Sequence, residues 1–257
     1  MKTTFLLLIG TVSILSVRAQ DSGKELAGRL STLQVDGNSL IRLRMEVQST
    51  QAKLQVQIKQ RRTQGATEVV YQILWPKERA GEAVLLRKSG NQAASGAVFV
   101  PPATVRTLSA AQMKETLFGS DLAYADIVEN FFAWEHQAIV GTENVDRASC
   151  QILESKPGKG DRSIYAAVRT WVDSRRLVPL RVEKYLASGQ LARRIDTTRV
   201  VTDDHRAMPA NLTVRDAQKN SATDLDGSNI KRGVTYDEQT FTAEGLKVLT
   251  PPRSKSD

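Results

Sequence analysis

The stretch LIRLRMEVQSTQAKLQVQIK, residues 40–59, alternates apolar and polar side chains on either side of a short polar break. A period of two is typical of β-strands that bury one face and leave the other in water. The apolar positions are Ile41, Leu43, Met45 and Val47 before the break and Leu54, Val56 and Ile58 after it. We therefore predict two antiparallel strands, each with one apolar face.

The same alternation recurs along most of the chain. Further strands are predicted at residues 68–75, 83–86, 97–100, 138–143, 150–155, 164–173, 180–187, 191–200 and 211–215. So many sequential antiparallel strands with one apolar face must curl to bury that face and to limit exposed edges. The predicted fold class is α+β: a strongly curved antiparallel sheet, or incomplete β-barrel, with helices covering its concave apolar side.

Three segments are predicted to be helical, at residues 24–33, 121–132 and 241–249. The first two are expected to cover the concave side of the sheet, and the third to close the fold. The second segment has an apolar stripe at three- and four-residue steps, formed by Tyr124, Ile127, Val128 and Phe131. Such a stripe allows one face of a helix to lie on a sheet.

The residues before the second predicted helix are suited to starting one. Gly119 interrupts the preceding structure, and Ser120 or Asp121 offers a side-chain oxygen to the unpaired amides of a first helical turn. We assign Asp121 as the cap, Tyr124 as a packing anchor and Asp126 as a partner for an arginine on a strand.

Residues 1–19 have the pattern of an export signal. Lys2 is basic, residues 5–15 are mostly apolar, and Ala19 is a small residue of the kind that precedes a cleavage site. We expect cleavage after Ala19 and a soluble periplasmic protein. No cysteine lies near the cleavage point, so a lipid anchor is not expected.

The mature chain is predicted to form one domain, residues 20–250, followed by a flexible tail, residues 251–257. All-β domains of about 200 to 250 residues often share a single core. No linker rich in proline, serine or glycine divides the chain. We therefore expect the strands to belong to one sheet.

The net charge of +8 does not by itself indicate nucleic-acid binding. The arginine pairs fall on turns or on the polar faces of predicted strands, and aromatic residues make up only 5% of the chain. Attraction to anionic lipid head groups or to an acidic partner is a more economical use of this charge. The scarcity of aromatic core fillers favours an interior that holds a ligand.

The residue types that carry catalysis or bind metals do not form a recognisable site. His136 and His205 lack a second histidine or cysteine at metal-ligand spacing, and no serine lies in a GxSxG elbow. Residues 203–204 and 224–227 lack the spacing of a calcium loop, so we interpret them as solvated turns. The single cysteine, Cys150, is expected to be a buried, inert thiol. We predict no enzymatic activity, no metal and no cofactor.

Several segments occur in an order that is known from one protein family. GSDLAYAD, residues 119–126, matches a GSD-x-x-Y-x-D signature. The other matching segments are 80–85, 99–101, 105–106, 150–157, 165–173, 178–183, 188–191 and 241–246. By these segments the chain resembles the outer-membrane lipoprotein-sorting proteins, relatives of the LolA and LolB lipoprotein carriers. The resemblance covers most of the mature chain.

This resemblance implies a half-open antiparallel barrel, closed by helices, whose apolar concavity shields acyl chains from water. Exposing an acyl chain costs about 0.8 kcal/mol per methylene, so covering one chain eases its transfer through water greatly. The implied function is a carrier of lipid or acylated protein that meets an inner-membrane transporter or an outer-membrane acceptor. The alternative on the same scaffold is an envelope sensor or adaptor that binds a membrane-protein partner.

Under the carrier hypothesis, the apolar faces of the strands line the cavity. The expected lining residues are Ile41, Leu43, Met45, Val47, Leu54, Val56, Ile58, Val84 and Phe99. Each of these positions also fits a packed core. The expected signature of the covering helix is Gly119, Ser120, Asp121, Tyr124 and Asp126.

Overall fold

The computed structural model describes residues 13–35, 37–203 and 205–248. Its strands are β1 (Gly37–Val47), β2 (Ala52–Arg62), β3 (Ala66–Trp75), β4 (Ala83–Ser89), β5 (Ser95–Val100), β6 (Thr104–Leu108), β7 (His136–Val145), β8 (Ala148–Lys156), β9 (Ala167–Asp173), β10 (Pro179–Tyr185), β11 (Leu191–Asp203), β12 (Arg206–Asp216) and β13 (Ser221–Arg232). The α-helices are α1 (Ser13–Gln34) and α2 (Tyr124–Val128). Short 3-10 helices lie at Lys77–Arg79, Ala110–Lys114, Leu117–Gly119, Phe131–Ala133, Glu238–Phe241 and Gly245–Val248.

These strands form one antiparallel sheet of thirteen strands within the described residues. The spatial order is β6-β5-β4-β3-β2-β1-β13-β12-β11-β10-β9-β8-β7, so β6 and β7 are the edges. Two consecutive meanders, β1 to β6 and β7 to β13, meet in the middle, where β1 pairs with β13. The pairing of β1 with β2 places Met45 opposite Leu54, as the alternation of residues 40–59 predicts.

The sheet curls around a common apolar core. Leu108 of β6 and Ile195 of β11 pack against one cluster, which also contains Val56 and Val214. In a flat sheet β6 and β11 would lie about 40 Å apart, because neighbouring strands are about 4.8 Å apart. The prediction of a strongly curved antiparallel sheet, an incomplete barrel, is therefore confirmed.

The helices differ from the predicted ones. The second predicted helix, residues 121–132, is reduced to α2, and Glu129 leaves the helical region with φ −70° and ψ 117°. The chain leaves the helix here because Glu129 reaches across to Lys88 of the sheet, at 3.0 Å. Covering of the concave side by regular helix is therefore only partial. The predicted closing helix at 241–249 is replaced, in its described part, by short 3-10 helices.

Strand β13 is central to the sheet although its sequence does not alternate regularly. The interpretation of Asp224 and Asp226 as solvated turns is wrong, because both residues lie in β13. Asp224 accepts a hydrogen bond from the Thr213 hydroxyl at 2.6 Å, and Asp226 lies 3.5 Å from Arg199. The backbone ladders to β1 and β12 hold this polar segment as a strand. Neither β13 nor β6 is among the strands that the sequence predicts.

The two predicted ends of the chain are described only in part. Residues 1–12 of the expected export signal lie outside the described residues, and residues 13–19 form the beginning of α1. The expected tail, residues 251–257, also lies outside them. In the described ranges, no helix combines the length and the apolar character that a membrane crossing requires.

Helix α1 packs against the β7 side of the sheet. Leu26, Ala27 and Leu30 are buried in a core with residues of β8 and β9. At Gly23 the two backbones touch, because an added Cβ would lie 2.7 Å from the Cα of Ala138. Only a residue without a side chain allows this approach.

We expect Gly23→Ala to lower the free energy of unfolding by about 1 to 3 kcal/mol, because the added methyl overpacks the contact between α1 and β7. Gly28→Ala is the matched control on the same helix, since nothing lies within 4 Å of its added Cβ. This control should be neutral or stabilising by up to about 1 kcal/mol. Urea unfolding compares the two variants, and equal effects would contradict the close approach at Gly23.

Candidate functional site

One segment between β6 and β7 covers the concave face of the sheet. We call residues 117–134 the plug. Its first half buries Leu117, Leu122, Tyr124, Ile127 and Val128 against the faces of β1 to β4. Its second half buries Phe131, Phe132 and Trp134 against α1, β8 and β9. The plug therefore joins the two main cores and fills the centre of the concavity.

The expected lining residues lie mostly beneath the plug. Met45, Val47, Leu54, Val56, Ile58 and Val84 are buried in its core, and Ile41 and Leu43 pack against that core while half-buried. Phe99 does not share this face: it lies on the opposite side of the sheet with Leu85 and Phe241. The expected lining residues are therefore packed against other side chains, and the cavities lie elsewhere.

Asp121 anchors the beginning of the plug to β13. Its carboxylate accepts hydrogen bonds from the hydroxyls of Ser221 and Thr223, the latter at 2.7 Å, and its N–H donates to Thr223 Oγ1 at 3.0 Å. The assignment of Asp121 as a helix cap is wrong, because α2 begins at Tyr124. Gly119 supports the turn with a φ of +85°, a conformation that glycine adopts without strain.

Asp126 anchors the middle of the plug to the other half of the sheet. Its carboxylate lies 2.7 Å from Lys184 Nζ on β10 and 3.7 Å from Arg193 on β11, and accepts the Tyr165 hydroxyl at 2.7 Å. It also accepts the Ala123 N–H at 2.8 Å, which closes the first turn of α2. The Asp126 side chain has no exposed surface, and that of Lys184 is 1% exposed.

The expected strand arginine for Asp126 is therefore found at Arg193, but the shorter contacts come from Lys184 and Tyr165. Burial, reinforced by the neighbouring Asp126 carboxylate, raises the pKa of Tyr165, so this hydroxyl remains a hydrogen-bond donor. Arg193 also lies 3.0 Å from Asp216, which extends the buried network to β12.

Glu129 anchors the end of α2 to β4. Both of its carboxylate oxygens accept hydrogen bonds from Lys88 Nζ at 3.0 Å, and the two side chains are 3% and 7% exposed. Burial raises the pKa of Glu129 against the lowering effect of Lys88. The three carboxylates of the plug thus bind β13, the β10–β11 pair and β4. Buried charges are tolerated only when they are paired in this way.

Open space lies beside the plug, under the end of α1. We call this cavity of about 200 Å³ the α1 cleft. It is lined by Leu30, Leu33, Gln34, Arg62, Phe132, Leu177, Val178, Pro179, Arg206, Ala207, Met208, Pro209 and Arg232. Most of these side chains are apolar, and they come from α1, the plug, the turn between β9 and β10, and the start of β12.

The arginines of the α1 cleft connect its walls. Arg206 donates to the carbonyl of Leu33 at 2.6 Å and so holds the end of α1 to β12. Arg62 donates to a plug carbonyl, that of Ile127, at 3.4 Å. Beyond Met208 and Pro209, which line both spaces, lies a further cavity of about 160 Å³ that reaches Val201 and Ile230.

A second cavity shares no lining residue with the α1 cleft, and we call it the polar cavity. Its volume is about 230 Å³. It is lined by Thr63, Gln64, Gly65, Ala66, Thr67, Lys88, Gly90, Asn91, Val128, Asn130, Ala133, Trp134 and Asp161. The hairpin ends β2–β3 and β4–β5 meet the plug here, and the lining mixes apolar surface with hydroxyl, amide and charged groups.

In the part of the chain that the structure describes, no group of three or more His, Cys, Asp and Glu side chains could hold a metal ion. His136 is exposed and lies 3.8 Å from Glu135. Cys150 is fully buried, and burial raises the pKa of its thiol.

Sequence reasoning missed both cavities. Their walls come from distant segments, such as Leu33 of α1 and Met208 of β12, which only the closure of the sheet brings together. The spacing of Leu26, Leu30 and Leu33 is the one local signal, since it marks the face of α1 that packs inward. Lys184 gave no signal, because a lysine in a strand usually faces water.

The chain is similar to several known proteins. A protein-family model, described only as an uncharacterized protein, matches residues 65–248. A DUF1329 family protein from Desulfovibrio piger is 21% identical with a TM-score of 0.81, over 89% of this chain and 99% of that one. None of the curated proteins matches the sequence.

Two other structures carry names that bear on function. A putative outer membrane lipoprotein-sorting protein domain from Vibrio parahaemolyticus is 20% identical with a TM-score of 0.79, over 89% of this chain and 99% of that one. A LolA superfamily protein from Nitrosomonas europaea is 20% identical with a TM-score of 0.65, over 86% and 97%. The resemblance to lipoprotein-sorting proteins is thereby confirmed at the level of the fold.

We expect Asp126→Ala to lower the free energy of unfolding by about 3 to 5 kcal/mol, because Lys184 and Arg193 would remain buried without their carboxylate. Asp226→Ala is the control, since the ion pairs of Asp226 with Arg44 and Arg199 are largely exposed. Its cost should stay below about 1 kcal/mol. Denaturant unfolding measures the loss of stability in both variants. If Asp126→Ala destabilises the protein no more than Asp226→Ala does, the plug is not held by the pair of Asp126 and Lys184.

Proposed function

The chain belongs to the family of uncharacterized proteins whose model matches residues 65–248, and we propose that it is a periplasmic carrier of acyl chains. The cargo is a lipid or an acylated protein, handed between an inner-membrane transporter and an outer-membrane acceptor. The lipoprotein-sorting domain and the LolA superfamily protein that share its fold support this proposal. The expected export signal at residues 1–19 supports the location.

The α1 cleft is the observation that carries the proposal. It is a largely apolar space between a helix and the inner face of a curved sheet, and such spaces are where small apolar ligands bind. Its volume of about 200 Å³ takes only part of a long chain. Each methylene that enters gains about 0.8 kcal/mol relative to water. A few methylenes contribute only about 3 kcal/mol, which corresponds to weak binding, so retention requires a longer chain that extends beyond the cleft.

A longer chain has two routes inward from the α1 cleft. One route leads under the plug and requires the buried ion pair of Asp126 and Lys184 to break. The other leads past Met208 into the cavity that reaches Val201 and Ile230. Methionine is flexible and adapts to apolar ligands, so the second route costs less. We propose that the chain passes Met208 while the plug stays in place.

The test is native mass spectrometry of the mature protein, residues 20–257, expressed with its leader and also extracted with organic solvent. We expect retained phospholipid or acylated peptide. Ala207 lines the α1 cleft and packs beside Val178, so Ala207→Trp should narrow the cleft and reduce retention severalfold. Ala80→Trp, the same change at an exposed position, should leave retention unaltered.

The sensor or adaptor function predicts a different result from the same preparation. An adaptor would show a protein mass without lipid and would hold a membrane-protein partner at stoichiometric amounts in a pull-down from envelope extracts. That combination would overturn the carrier proposal. Equal lipid retention by Ala207→Trp and Ala80→Trp would place the lipid outside the α1 cleft.

A further inference from the structure

We infer that the cargo is held by a single acyl chain of about a dozen carbons, whose far end lies in the cavity beyond Met208. This cavity, which we call the distal cavity, is lined by Val201, Thr202, Asp203, Met208, Pro209, Gly227 and Ile230. The inference rests on the proposed function and specifies its substrate class. The cargo is an amphiphile that inserts one chain of medium length, and not a lipid that inserts two.

The distal cavity and the α1 cleft lie in sequence along one path. Met208 and Pro209 line both spaces, so they form the boundary between them. Arg232, which lines the cleft, donates to Met208 Sδ at 3.4 Å and to the Asp203 carboxylate of the distal cavity. Methionine is flexible and adapts to apolar ligands. Met208 is therefore the side chain that an acyl chain displaces as it passes from the cleft into the distal cavity.

The distal cavity lies where the pairing of the central strands is irregular. In the ladder of β11 with β12, the register shifts between Thr197 and Arg199 and again between Arg199 and Val200. In the ladder of β1 with β13, it shifts between Arg42 and Arg44. Such bulges bend a strand and redirect its side chains, and they are frequent next to functional sites. Strands β11, β12 and β13, which form the walls of the distal cavity, all take part in these irregular ladders.

Gly227 leaves one wall of the distal cavity without a side chain. An added Cβ at this position would lie 3.3 Å from the Cβ of Leu43 on β1 and 3.7 Å from the carbonyl oxygen of Ala210 on β12. A larger side chain would therefore either occupy the cavity or press on β1. We assign Gly227 as a residue that determines how far a chain can reach.

The other side chains of the distal cavity suit the end of an acyl chain. Val201, Met208, Pro209 and Ile230 are apolar. The Asp203 carboxylate forms an ion pair with Arg232, so its charge is compensated within the protein. The distal cavity thus offers contacts for methylene groups and no uncompensated carboxylate to a charged head group.

The volumes limit the ligand to one chain. The α1 cleft measures about 200 Å³ and the distal cavity about 160 Å³. A methylene takes about as much room as a water molecule in the liquid, about 30 Å³, so the cleft takes about seven carbons and the distal cavity about five. The plug packs the centre of the concavity, where a second chain would otherwise lie.

Isothermal titration of the mature protein with lysophosphatidylcholines tests the chain length. The probes carry saturated chains of eight, ten, twelve, fourteen or sixteen carbons, each below its micelle-forming concentration. We expect affinity to rise about fourfold per methylene, the ratio that corresponds to about 0.8 kcal/mol, and to level off at about twelve carbons. Dihexanoyl phosphatidylcholine divides the same number of acyl carbons between two chains. It should bind about tenfold more weakly than the twelve-carbon probe, because only one of its chains enters.

Two variants test the position of the far end. Val201→Trp adds bulk to the distal cavity from β11, and Gly227→Leu adds it from β13. In either variant the rise in affinity should stop at the eight-carbon probe, whose own affinity should not change. Val140→Trp, at an exposed valine of β7, is the matched control and should keep the wild-type series.

The outcomes separate this inference from the proposed function. In the wild type, a rise that stops at eight carbons or continues to sixteen overturns the inference while the carrier stands. Equal binding of dihexanoyl phosphatidylcholine and the twelve-carbon probe overturns the single chain, and an unchanged series in both variants overturns the role of the distal cavity. The wild-type series decides even if neither variant folds. If no probe binds, the inference fails, and the carrier fails with it only when the native mass spectrum also shows no lipid.

Discussion

The buried ion pair between Asp126 and Lys184 holds the plug against the half of the sheet formed by β7 to β13. The same plug covers β1 to β4 with apolar side chains. Packing alone is non-directional, and several arrangements of a short amphipathic segment could cover the concave face. A carboxylate that meets Lys184, Arg193 and Tyr165 at once fixes one arrangement. Asp121 likewise anchors the plug to β13, and Glu129 anchors it to β4. The plug is therefore held at three places.

This anchoring determines where a ligand can enter. The centre of the concavity is packed with residues such as Met45 and Val56, which leaves space at the margin, beneath the end of α1. Opening the centre would separate Asp126 from Lys184. Breaking a buried ion pair in this way costs about 3 to 5 kcal/mol. At the margin, Met208 lines both spaces and contacts Arg232, so moving it would break no ion pair of the plug. Under the proposed carrier function, cargo enters beside the plug while the plug itself stays closed.

Much of the architecture follows from local sequence. Residues 40–59 alternate because β1 and β2 bury one face and expose the other, and this pattern alone identifies both strands. Strand β13 escapes such reasoning, since its aspartates are held by partners on other strands, such as Thr213 of the neighbouring β12 and Arg44 of β1 at the far end of the sequence. The position of Phe99 on the opposite face depends on the register of β4 and β5, which places it opposite Ala83 and not Val84. The candidate site is harder still to predict, because its cavities exist only once α1, the plug and β12 meet.

The most direct test of ligand entry beside a closed plug is hydrogen exchange of backbone amides, measured with and without a bound acyl chain. We expect loading to increase the protection of residues 177–179 and 206–209 around the α1 cleft. The protection of residues 122–128 in the plug should not change. Loss of protection at residues 122–128 on loading would show that the plug is displaced, and would contradict a fixed plug anchored by Asp126.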